Sequence, residues 1–405
     1  MSLIKNIKSY SEGIQMSEGK KQLLDSFFLT GFPTTKDEEW KYTSLKKIIS
    51  NDYVIESESD TANYSLIEKY SLKFKYRIIF FDGKMLHFPQ IKGVSITGFS
   101  EFESNNTNSI LQLNKALSKN GFTIAVDKNV KVESPIEILF FSTSKNSFFQ
   151  YRNQISIGKN SEVKFVERIQ SLNNSTSLVN HFTQINCAEN TKVEYNKIQN
   201  NSSQSQLIDS TNVYQKKDSI CDINTLIFGG SFTRNNLNFE QNGYNCESNM
   251  NGVSILNKHQ LADNHTFVDH KNPNCRSNEM YKGVYLDYSK GVFNGKIMVR
   301  PNAQKIDAFQ SNNNLLLSDD SSIDSKPQLE IYADDVKCSH GCTIGQLDED
   351  ALFYMRSRGV GIEEAKAILT YAFASEAIEN ISVEKVKELA RRLMAEKLNV
   401  DLNFS

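Results

Sequence analysis

Five segments decide the fold: FTIAVDKNV (122–130), IEILFFST (136–143), SEVKFVERI (161–169), TKVEYNKIQ (191–199) and SICDINTLIFGG (219–230). Each is short, rich in Val, Ile, Phe and Tyr, and bounded by polar turns, which is the pattern of a β-strand. LNFEQNGY (237–244) and GVFNGKIMV (291–299) continue the series. No helical pattern of about 10–15 residues separates these segments, so units in which a helix connects two parallel strands are disfavoured.

The number of strands is too large for one small barrel. The chain has 405 residues, which exceeds the length at which a single hydrophobic core usually stops growing. A long β-sandwich and a β-solenoid remain, and in a solenoid each coil buries its apolar face against the next coil. Short turns and the run Asn312-Asn313-Asn314 favour the solenoid, although the sequence has no strict repeat period.

Helical patterns come before the strands. Residues 17–29 carry an apolar face at helical spacing, and Gly31 is expected to end this helix. YRIIFFDGKMLHF (76–88) predicts two strands joined by a tight turn at Asp82-Gly83. The sequence therefore predicts an N-terminal helical region over 1–75 and a β core over 76–345.

Three amphipathic helices are predicted after the strands, in LDEDALFYMRSRG (347–359), IEEAKAILTYAFASEAI (362–378) and SVEKVKELARRLMAEKL (382–398). The third has one continuous apolar stripe of Val383, Val386, Leu389, Ala390, Leu393 and Met394. These patterns predict a C-terminal helical domain over 346–405. Its helices are expected to pack as a bundle that leaves a face free for a partner.

The net charge and the N-terminal sequence limit the expected binding partners and the expected cellular compartment. The formal net charge is −2, with acids and bases interspersed, so binding to nucleic acid or to an anionic membrane has little support. The first residues, MSLIKNIKSYSEGIQ, lack the apolar core of a secretory signal. No stretch approaches the roughly 18 apolar residues of a membrane span. The cytoplasm is the expected compartment.

Motifs of common enzymes are not found in the sequence. It has no G-x-x-x-x-G-K-[ST] phosphate loop, no dinucleotide fingerprint, no G-x-S-x-G elbow and no H-E-x-x-H helix. These absences argue against the usual hydrolase, kinase and dehydrogenase classes. We therefore expect a protein that is not an enzyme.

One constellation could carry metal chemistry, Lys337-Cys338-Ser339-His340-Gly341-Cys342, which follows the strand-like QLEIYADDV (328–336). On an extended strand, Cys338, His340 and Cys342 would project to the same side. Two thiols and an imidazole suit iron, zinc or an iron–sulfur cluster, and three ligands would leave a coordination position open. Buried thiols with a hydrogen-bonded histidine are the alternative interpretation.

The other cysteines and histidines give weaker signals. Cys187, Cys221, Cys246 and Cys275 lack the spacing of metal ligands and are expected to be small buried residues. His259, His265 and His270 precede Cys275 in KHQLADNHTFVDHKNPNCRS (258–277). His265 and His270 would face opposite sides of a continuous strand, so structural or surface roles are the better interpretation.

Long stretches of the C-terminal half carry a family resemblance: HTFVDHKNPNCRSNEMYKGVYLD (265–287), GVFNGKIMV (291–299), AQKIDAFQSNNNLLLS (303–318), KPQLEIYADDVKCSHGCTIGQLDEDALFYMRSRGV (326–360) and YAFASEAIENI (371–381). Together with KDEEWKYTSL (36–45), they resemble the SufB/SufD family of iron–sulfur cluster assembly subunits. The CSHG string is similar to the SufD branch, since SufB has a glutamate in place of Gly341. Cys342 departs from the family, in which many members have alanine.

This resemblance implies a fold and two partners. The fold is a right-handed parallel β-helix between an N-terminal helical region and a C-terminal helical domain. A SufB-like subunit would pair along the β-helix, and a SufC-like ATPase would dock on the C-terminal helices, for which we single out Leu352, Phe353, Tyr354, Arg356 and Arg358. An isolated chain could instead form a homodimer through its unpaired edge.

The resemblance also implies the function of a non-ATPase scaffold that supports iron entry and cluster formation. Iron or an iron–sulfur cluster would be held transiently at the SufB interface, near Cys338 and His340 and with Cys342 as a further candidate, while the isolated chain would bind no cofactor tightly. Two alternatives stay open. The chain could be a purely structural adaptor without metal contact, or a metal-binding enzyme that uses Cys338, His340 and Cys342.

Overall fold

Two parallel β-sheets form a solenoid at the centre of the protein. The computed structural model describes residues 2–55, 64–103, 108–172, 174 and 176–399. In the central part, successive strands alternate between the two sheets, and each strand pairs in parallel with the strands two positions before and after it. The predicted parallel β-helix with helices at both ends is confirmed, and a sandwich of antiparallel strands is excluded.

The first sheet contains β1 (Val54–Ile55), β4 (Val94–Gly98), β5 (Phe122–Val126), β7 (Ser147–Ile157), β9 (Ser177–Cys187), β11 (Ser205–Gln215), β13 (Phe232–Gln241), β15 (Leu261–His270), β17 (Lys290–Val299) and β19 (Ser322–Ile331). The second contains β2 (Tyr76–Phe81), β3 (Lys84–His87), β6 (Ile136–Ser142), β8 (Glu162–Ser171), β10 (Lys192–Gln199), β12 (Ile220–Ile227), β14 (Glu247–Leu256), β16 (Arg276–Tyr285), β18 (Ile306–Leu316) and β20 (Val336–Gly345). Strands β2 and β3 form the predicted hairpin, with positive φ at Asp82 and Gly83.

The coils of the solenoid differ in length. Gln206 pairs with Phe232, 26 residues later, whereas Lys290 pairs with Ser322, 32 residues later. The strands stay in register because the turns take up the difference. A regular three-dimensional repeat therefore coexists with a sequence that has no strict period.

A left-handed turn residue recurs where the first sheet passes into the second, in every coil from β5 to β18 but not in the last coil. These residues have φ between 54° and 61° and are Asn129, Asn160, Asn190, Asp218, Asn245, Asn274 and Lys305. Asparagine tolerates this conformation better than residues with a bulkier or branched side chain. The amide of Asn160 donates to Asn129 Oδ1 at 2.8 Å, and that of Asn190 donates to Asn160 Oδ1 at 3.0 Å. The abundance of asparagine thus has a structural cause.

Replacing Asn190 with Ala is expected to lower the free energy of unfolding by about 1–2 kcal/mol. The reason is that Ala at φ 54° strains the backbone and loses the hydrogen bond to Asn160. Asn190→Gly is the matched control, since Gly also loses the bond but adopts this φ freely. Urea denaturation should rank the wild type above the Gly variant and the Gly variant above the Ala variant. Equal stability of the two variants would contradict the argument.

N-terminal helices cover the outer face of the first sheet. They are α1 (Ser2–Glu12), α2 (Glu18–Thr30), α3 (Lys46–Ile49) and, later in the chain, α5 (Ser109–Leu117), with a 3-10 turn at Glu38–Trp40. Helix α4 (Tyr64–Tyr70) packs instead on the second sheet, where Ile67 shares a core with Phe81 and Phe141. The helix predicted over 17–29 is confirmed as α2, and Gly31 ends it with φ 73°. Buried Leu24 and Phe27 share a core with Phe148 of the sheet.

Three C-terminal helices follow the last strand: α6 (Glu349–Ser357), α7 (Ile362–Ser375) and α8 (Glu384–Leu398), with a 3-10 turn at Glu376–Ile378. The predicted stripe of the third helix is buried, but the expected bundle is wrong. The stripe packs on the outer face of the second sheet, against Val166, Ile198, Leu226 and Val253. A sheet with an apolar outer face takes the place of a helical partner. Within the described residues, no helix combines the length and apolarity that a membrane crossing requires.

The last coil is left uncovered. Strand β19 lies at one edge of the first sheet and β20 at the corresponding edge of the second. No residue of β19 or β20 is buried, in contrast to the largely buried β18. The interior of the solenoid, its lumen, therefore opens to solvent at this end.

Candidate functional site

Cys338, His340 and Cys342 lie on β20 and share one face of it. Their partners in β18 are Ala308, Gln310 and Asn312, which are buried and face the lumen. Because in-register neighbours on parallel strands point to the same side, the three predicted residues face the lumen at its open end.

The three side chains differ in exposure. Cys338 is half-buried and packs against an apolar cluster, whereas His340 and Cys342 are exposed. Burial, with a smaller contribution from Asp307, raises the pKa of the Cys338 thiol. The Cys342 Sγ lies 3.1 Å from Ser325 Oγ of β19. His340 is thus an accessible imidazole ligand, and Cys338 has to lose its proton before it can bind a metal.

These residues do not converge on one point in the present arrangement. Side chains two positions apart on a strand are separated by about 6.6 Å along it. Among the described residues, one set of three His, Cys, Asp or Glu side chains has its ligand atoms within 4.8 Å of one another. That set does not contain Cys338, His340 or Cys342. A single ion would therefore need ligands from outside this strand, and metal binding by the three residues stays a prediction.

Helix α6 carries four of the five residues predicted to contact an ATPase, and the fifth, Arg358, directly follows its last residue. Phe353 is 73% exposed and Tyr354 59% exposed, and no residue of the helix is buried. The Arg358 guanidinium lies 5.2 Å from the centroid of the Tyr354 ring, while Arg356 is exposed and Leu352 half-buried. Exposed aromatic side chains beside arginines are typical of protein contact surfaces, but the contact itself stays a prediction.

The histidines of 258–277 do not meet. His259 stacks on Tyr288 at the surface, with ring centroids 4.9 Å apart. His270 is buried, with Nε2 3.0 Å from Ser277 Oγ, and burial lowers its pKa to about 4, so its ring is neutral. His265 faces the opposite side of β15, as the alternation predicts.

His265 belongs to an ionic network that anchors the N-terminal segment. Its Nε2 lies 2.9 Å from Asp263 Oδ1, and its Nδ1 lies 3.2 Å from Glu39 Oε2. Arg234 contacts the other oxygen of Asp263 at 2.6 Å and stacks 3.8 Å over the ring of Trp40. These residues border a cleft of about 770 Å³ between the segment 30–40 and the first sheet. These contacts fix the segment KDEEWKYTSL (36–45) on the first sheet of the β-helix.

A second cluster, which the sequence reasoning missed, lies inside the lumen. Glu167, His181 and Asp209 are fully buried, with ligand atoms within 4.8 Å of one another. His181 Nδ1 lies 3.2 Å from Asp209 Oδ1, and His181 Nε2 lies 3.5 Å from Glu167 Oε2. A carboxylate–imidazole–carboxylate set is chemically able to hold a divalent metal.

Lys197 already supplies a cation at this cluster. Its Nζ lies 2.6 Å from Asp209 Oδ2 and 3.9 Å from Glu167 Oε1. Burial raises the pKa of Asp209, but Lys197 and His181 outweigh it, and the pKa falls to about 2. The carboxylate is thus charged and paired, and the group is satisfied without a metal.

The sequence contained a signal for this cluster. Lys197 follows Val193 and Tyr195 on the apolar face of β10, and Glu167 follows Phe165 in the same way on β8. A charge at the inward position of an otherwise apolar strand indicates a buried partner of opposite sign. Which strands supply that partner depends on the coil register, and the sequence does not reveal that register.

The four remaining cysteines are buried, as predicted. Burial and the neighbouring Cys187 raise the pKa of the Cys221 thiol far above its ordinary value. Contact with Cys246 and burial raise that of Cys275. The thiols of Cys221 and Cys275 are therefore protonated and have little reactivity.

Comparison with known proteins assigns the chain to a family. Residues 140–373 match the family described as SUF system FeS cluster assembly, SufBD core domain. The iron–sulfur cluster assembly protein SufD of Escherichia coli K12 is 28% identical over 405 aligned positions, which cover 96% of this chain and 94% of the relative. A SufBD family protein of Synechocystis is 26% identical, covering 94% and 90%.

A further relative is the SufD of Bacillus subtilis, 25% identical over 68% of this chain and 64% of that protein. The family match spans more than half of the 405 residues, including most of the strands of the solenoid and the open end. The chain therefore belongs to the SufB/SufD family of iron–sulfur cluster assembly proteins.

Proposed function

We propose that this protein is the non-ATPase scaffold subunit of an iron–sulfur cluster assembly complex, in the role of SufD, and not an enzyme. The observation that carries the proposal is the uncovered last coil, where Cys338, His340 and Cys342 face an open lumen. Relatives in Escherichia coli and Bacillus subtilis bear the name iron–sulfur cluster assembly protein SufD, which supports the same role.

The open end is the proposed contact with a SufB-like subunit. Strands β19 and β20 each have one edge that no further strand of the described chain pairs with. Exposed strand edges pair readily with a strand of another chain. Addition of a partner coil would extend the lumen and enclose His340, and in the absence of that partner a second copy of this chain would take its place.

The proposed site holds iron or a cluster as cargo and not as a resident cofactor. His340 offers an imidazole nitrogen, while Cys338 and Cys342 offer soft sulfur ligands. Because these three do not converge on one ion, the remaining ligands would come from the partner. A site completed by two subunits releases its cargo when they move apart, which suits transfer.

Helix α6 is the proposed dock for a SufC-like ATPase. Helix α8 is fixed on the second sheet by its buried stripe, whereas α6 has no buried residue. Force on α6 would therefore reach the β-helix through α7 and α8. ATP hydrolysis by the partner would in this way alter the open end and its ligands.

Co-purification with SufB and SufC of the same organism, followed by anaerobic reconstitution with iron and sulfide, tests the role. A three-component complex is expected, and His340→Ala should lower its cluster absorbance several-fold without changing its assembly. His259→Ala, at an exposed position that is stacked on Tyr288, is the control. Unchanged absorbance in the His340 variant would make the protein an architectural adaptor. Failure of the wild type to form a complex would overturn the proposed role.

Replacing Phe353 and Tyr354 together with Ala is expected to weaken retention of the ATPase at least ten-fold, because exposed aromatic anchors supply much of an interface's affinity. Pairing with the SufB-like subunit should be unaffected. Leu29→Ala, at a position that is 90% exposed elsewhere on the surface, serves as the control. Pull-down at graded ATPase concentrations measures the effect, and equal retention by both variants would rule out α6 as the dock.

A further inference from the structure

Glu279 is an unusual carboxylate in the lumen near the open end. It is fully buried on β16, and it is paired in register with Gln310 of β18, which in turn is paired with His340 of β20. The three side chains form one inward row that runs from buried Glu279 to exposed His340. Adjacent coils are about 4.8 Å apart, so Glu279 lies two coils behind the opening.

No side-chain cation faces this carboxylate from the strands around it. At the inward positions of β13 to β20, all within the described part of the chain, Glu279 is the one carboxylate and there is no Lys or Arg. His270, also inward, contacts Ser277. The buried acids Asp209 and Asp263, by contrast, each contact a Lys or an Arg. Buried charges in proteins are paired or coordinate a metal, so the anion of Glu279 lacks the partner that the other two have.

Two buried oxygen atoms at this position have no hydrogen-bond donor. Glu279 Oε2 accepts from Thr266 Oγ1 at 2.6 Å and from Gln310 Nε2 at 3.0 Å. Glu279 Oε1 and Gln310 Oε1 are both buried and have no partner among the described residues. Both side chains are fully buried and joined to each other, so two acceptors without donors occur in one place.

Gln310 is held by the strand across the lumen. An added Cβ at Gly295 of β17 would lie 2.1 Å from Gln310 Nε2, so the amide packs directly on the glycine backbone. Gln310 and Glu279 are thus fixed in position on one side, and Thr266 of β15 fixes the carboxylate on the other. Fixed oxygen ligands on three different strands are a preorganised arrangement for a hard or borderline cation.

We propose that Glu279 and Gln310, with Thr266 beside them, form an oxygen-ligand site for one divalent cation of the ferrous-iron class, reached from the open end past His340. The cation would supply the positive charge that the row lacks and would satisfy both orphan oxygens. The choice of ferrous iron rests on the proposed function, whereas the existence of the site rests on the residues alone. Iron would be held here before it moves to the interface.

Titration of the full chain with manganese(II), monitored by electron paramagnetic resonance, tests the site. An anaerobic titration with ferrous iron is carried out in parallel. Manganese prefers oxygen ligands to thiolates, so a background in which Cys338, His340 and Cys342 are replaced by Ser, Ala and Ser should still bind one ion. In that background Glu279→Gln should raise the dissociation constant at least ten-fold. Gln310→Met, which removes only the amide, should also weaken binding.

Glu240→Gln is the control, because this outward carboxylate of β13 contacts Lys271 at the surface. No binding by the parent chain, or equal affinity in the Glu279, Gln310 and Glu240 variants, would overturn the site. Gln310→Met decides the outcome if Glu279→Gln does not fold. Assembly with SufB and SufC is measured on the same variants. An assembled complex without manganese binding would refute this inference alone, whereas a wild type that forms no complex would refute the proposed function.

Discussion

Replacing Lys197 with Met is expected to lower the free energy of unfolding by about 3–5 kcal/mol, the loss typical of breaking a buried ion pair. Met has a similar length and fills the space, so the loss comes from the charge. Without Lys197 the carboxylates of Glu167 and Asp209 lose the ammonium group that lies 3.9 Å from one and 2.6 Å from the other. The two carboxyl groups would then have His181 as their neighbour in the lumen.

Lys159→Met is the matched control. Lys159 pairs with Glu189 at 2.7 Å, but both side chains are largely exposed, and such pairs contribute about 0–1 kcal/mol. Urea denaturation of the two variants should therefore give clearly separated midpoints. A Lys197 variant as stable as the Lys159 variant would mean that the lumen cluster is not a charged network.

Acid should have a related effect on the same network. Burial raises the pKa of Asp209, Lys197 and His181 lower it, and the folded value of about 2 lies below the ordinary 3.8. The folded state thus keeps this carboxylate charged to lower pH than the unfolded state does. The stability that it contributes is complete above about pH 4 and is lost as the pH falls from 4 to 2. Asp209→Asn should remove this part of the pH dependence.

The strands and helices could be predicted from local patterns, because alternation and helical spacing are local properties. The hairpin at Asp82-Gly83 and the helix that ends at Gly31 are examples. The coil lengths, which vary between 26 and 32 residues from β5 onward, could not be predicted, because turns absorb insertions without leaving a sequence period. The packing partner of α8 could not be predicted from the sequence either, since an apolar stripe on a helix does not show whether it packs against a helix or a sheet.

The candidate site also has one feature that could be predicted from the sequence and others that could not. The shared face of Cys338, His340 and Cys342 follows from alternation along one strand, so the sequence sufficed. The contacts of Lys197 with Asp209, and of Glu279 with Gln310, join residues that are 12 and 31 positions apart. Such pairs depend on which strands face each other across the lumen and which neighbour each other in register. Residue types alone therefore did not show which carboxylate in the lumen has a cation beside it and which does not.

The two lumen acids are expected to respond to pH in opposite directions. Both are fully buried, but Asp209 contacts Lys197 and Glu279 contacts only neutral donors. Burial raises the pKa of Glu279 from 4.5 to about 7, since the bonds from Thr266 and Gln310 offset it only in part. A buried carboxylate that is paired with a cation therefore stabilises the fold, whereas one without a cation destabilises it once it is charged.

Glu279→Gln is therefore expected to stabilise the protein near pH 8 and to have little effect near pH 4. Below pH 4 the Glu279 carboxyl group is protonated in both the folded and the unfolded state, so it does not lower the free energy of unfolding. Between 4.5 and 7 the unfolded state releases the proton while the folded state keeps it, and stability falls as the pH rises. Above about pH 7 the folded protein carries the buried anion, at a cost of about 3 kcal/mol given roughly 1.4 kcal/mol for each pKa unit.

Urea denaturation of wild type and Glu279→Gln at the two pH values, with a chelator to keep the site free of metal, measures the difference. The variant should gain about 3 kcal/mol on the wild type between pH 4 and pH 8, while Glu240→Gln should stay within about 1 kcal/mol at both. A gain that is the same at both pH values would mean that Glu279 does not change its charge over this range. A variant that loses stability at pH 8 would mean that a cation of the protein already pairs with Glu279. Either result would remove the unpaired carboxylate on which the proposed metal site depends.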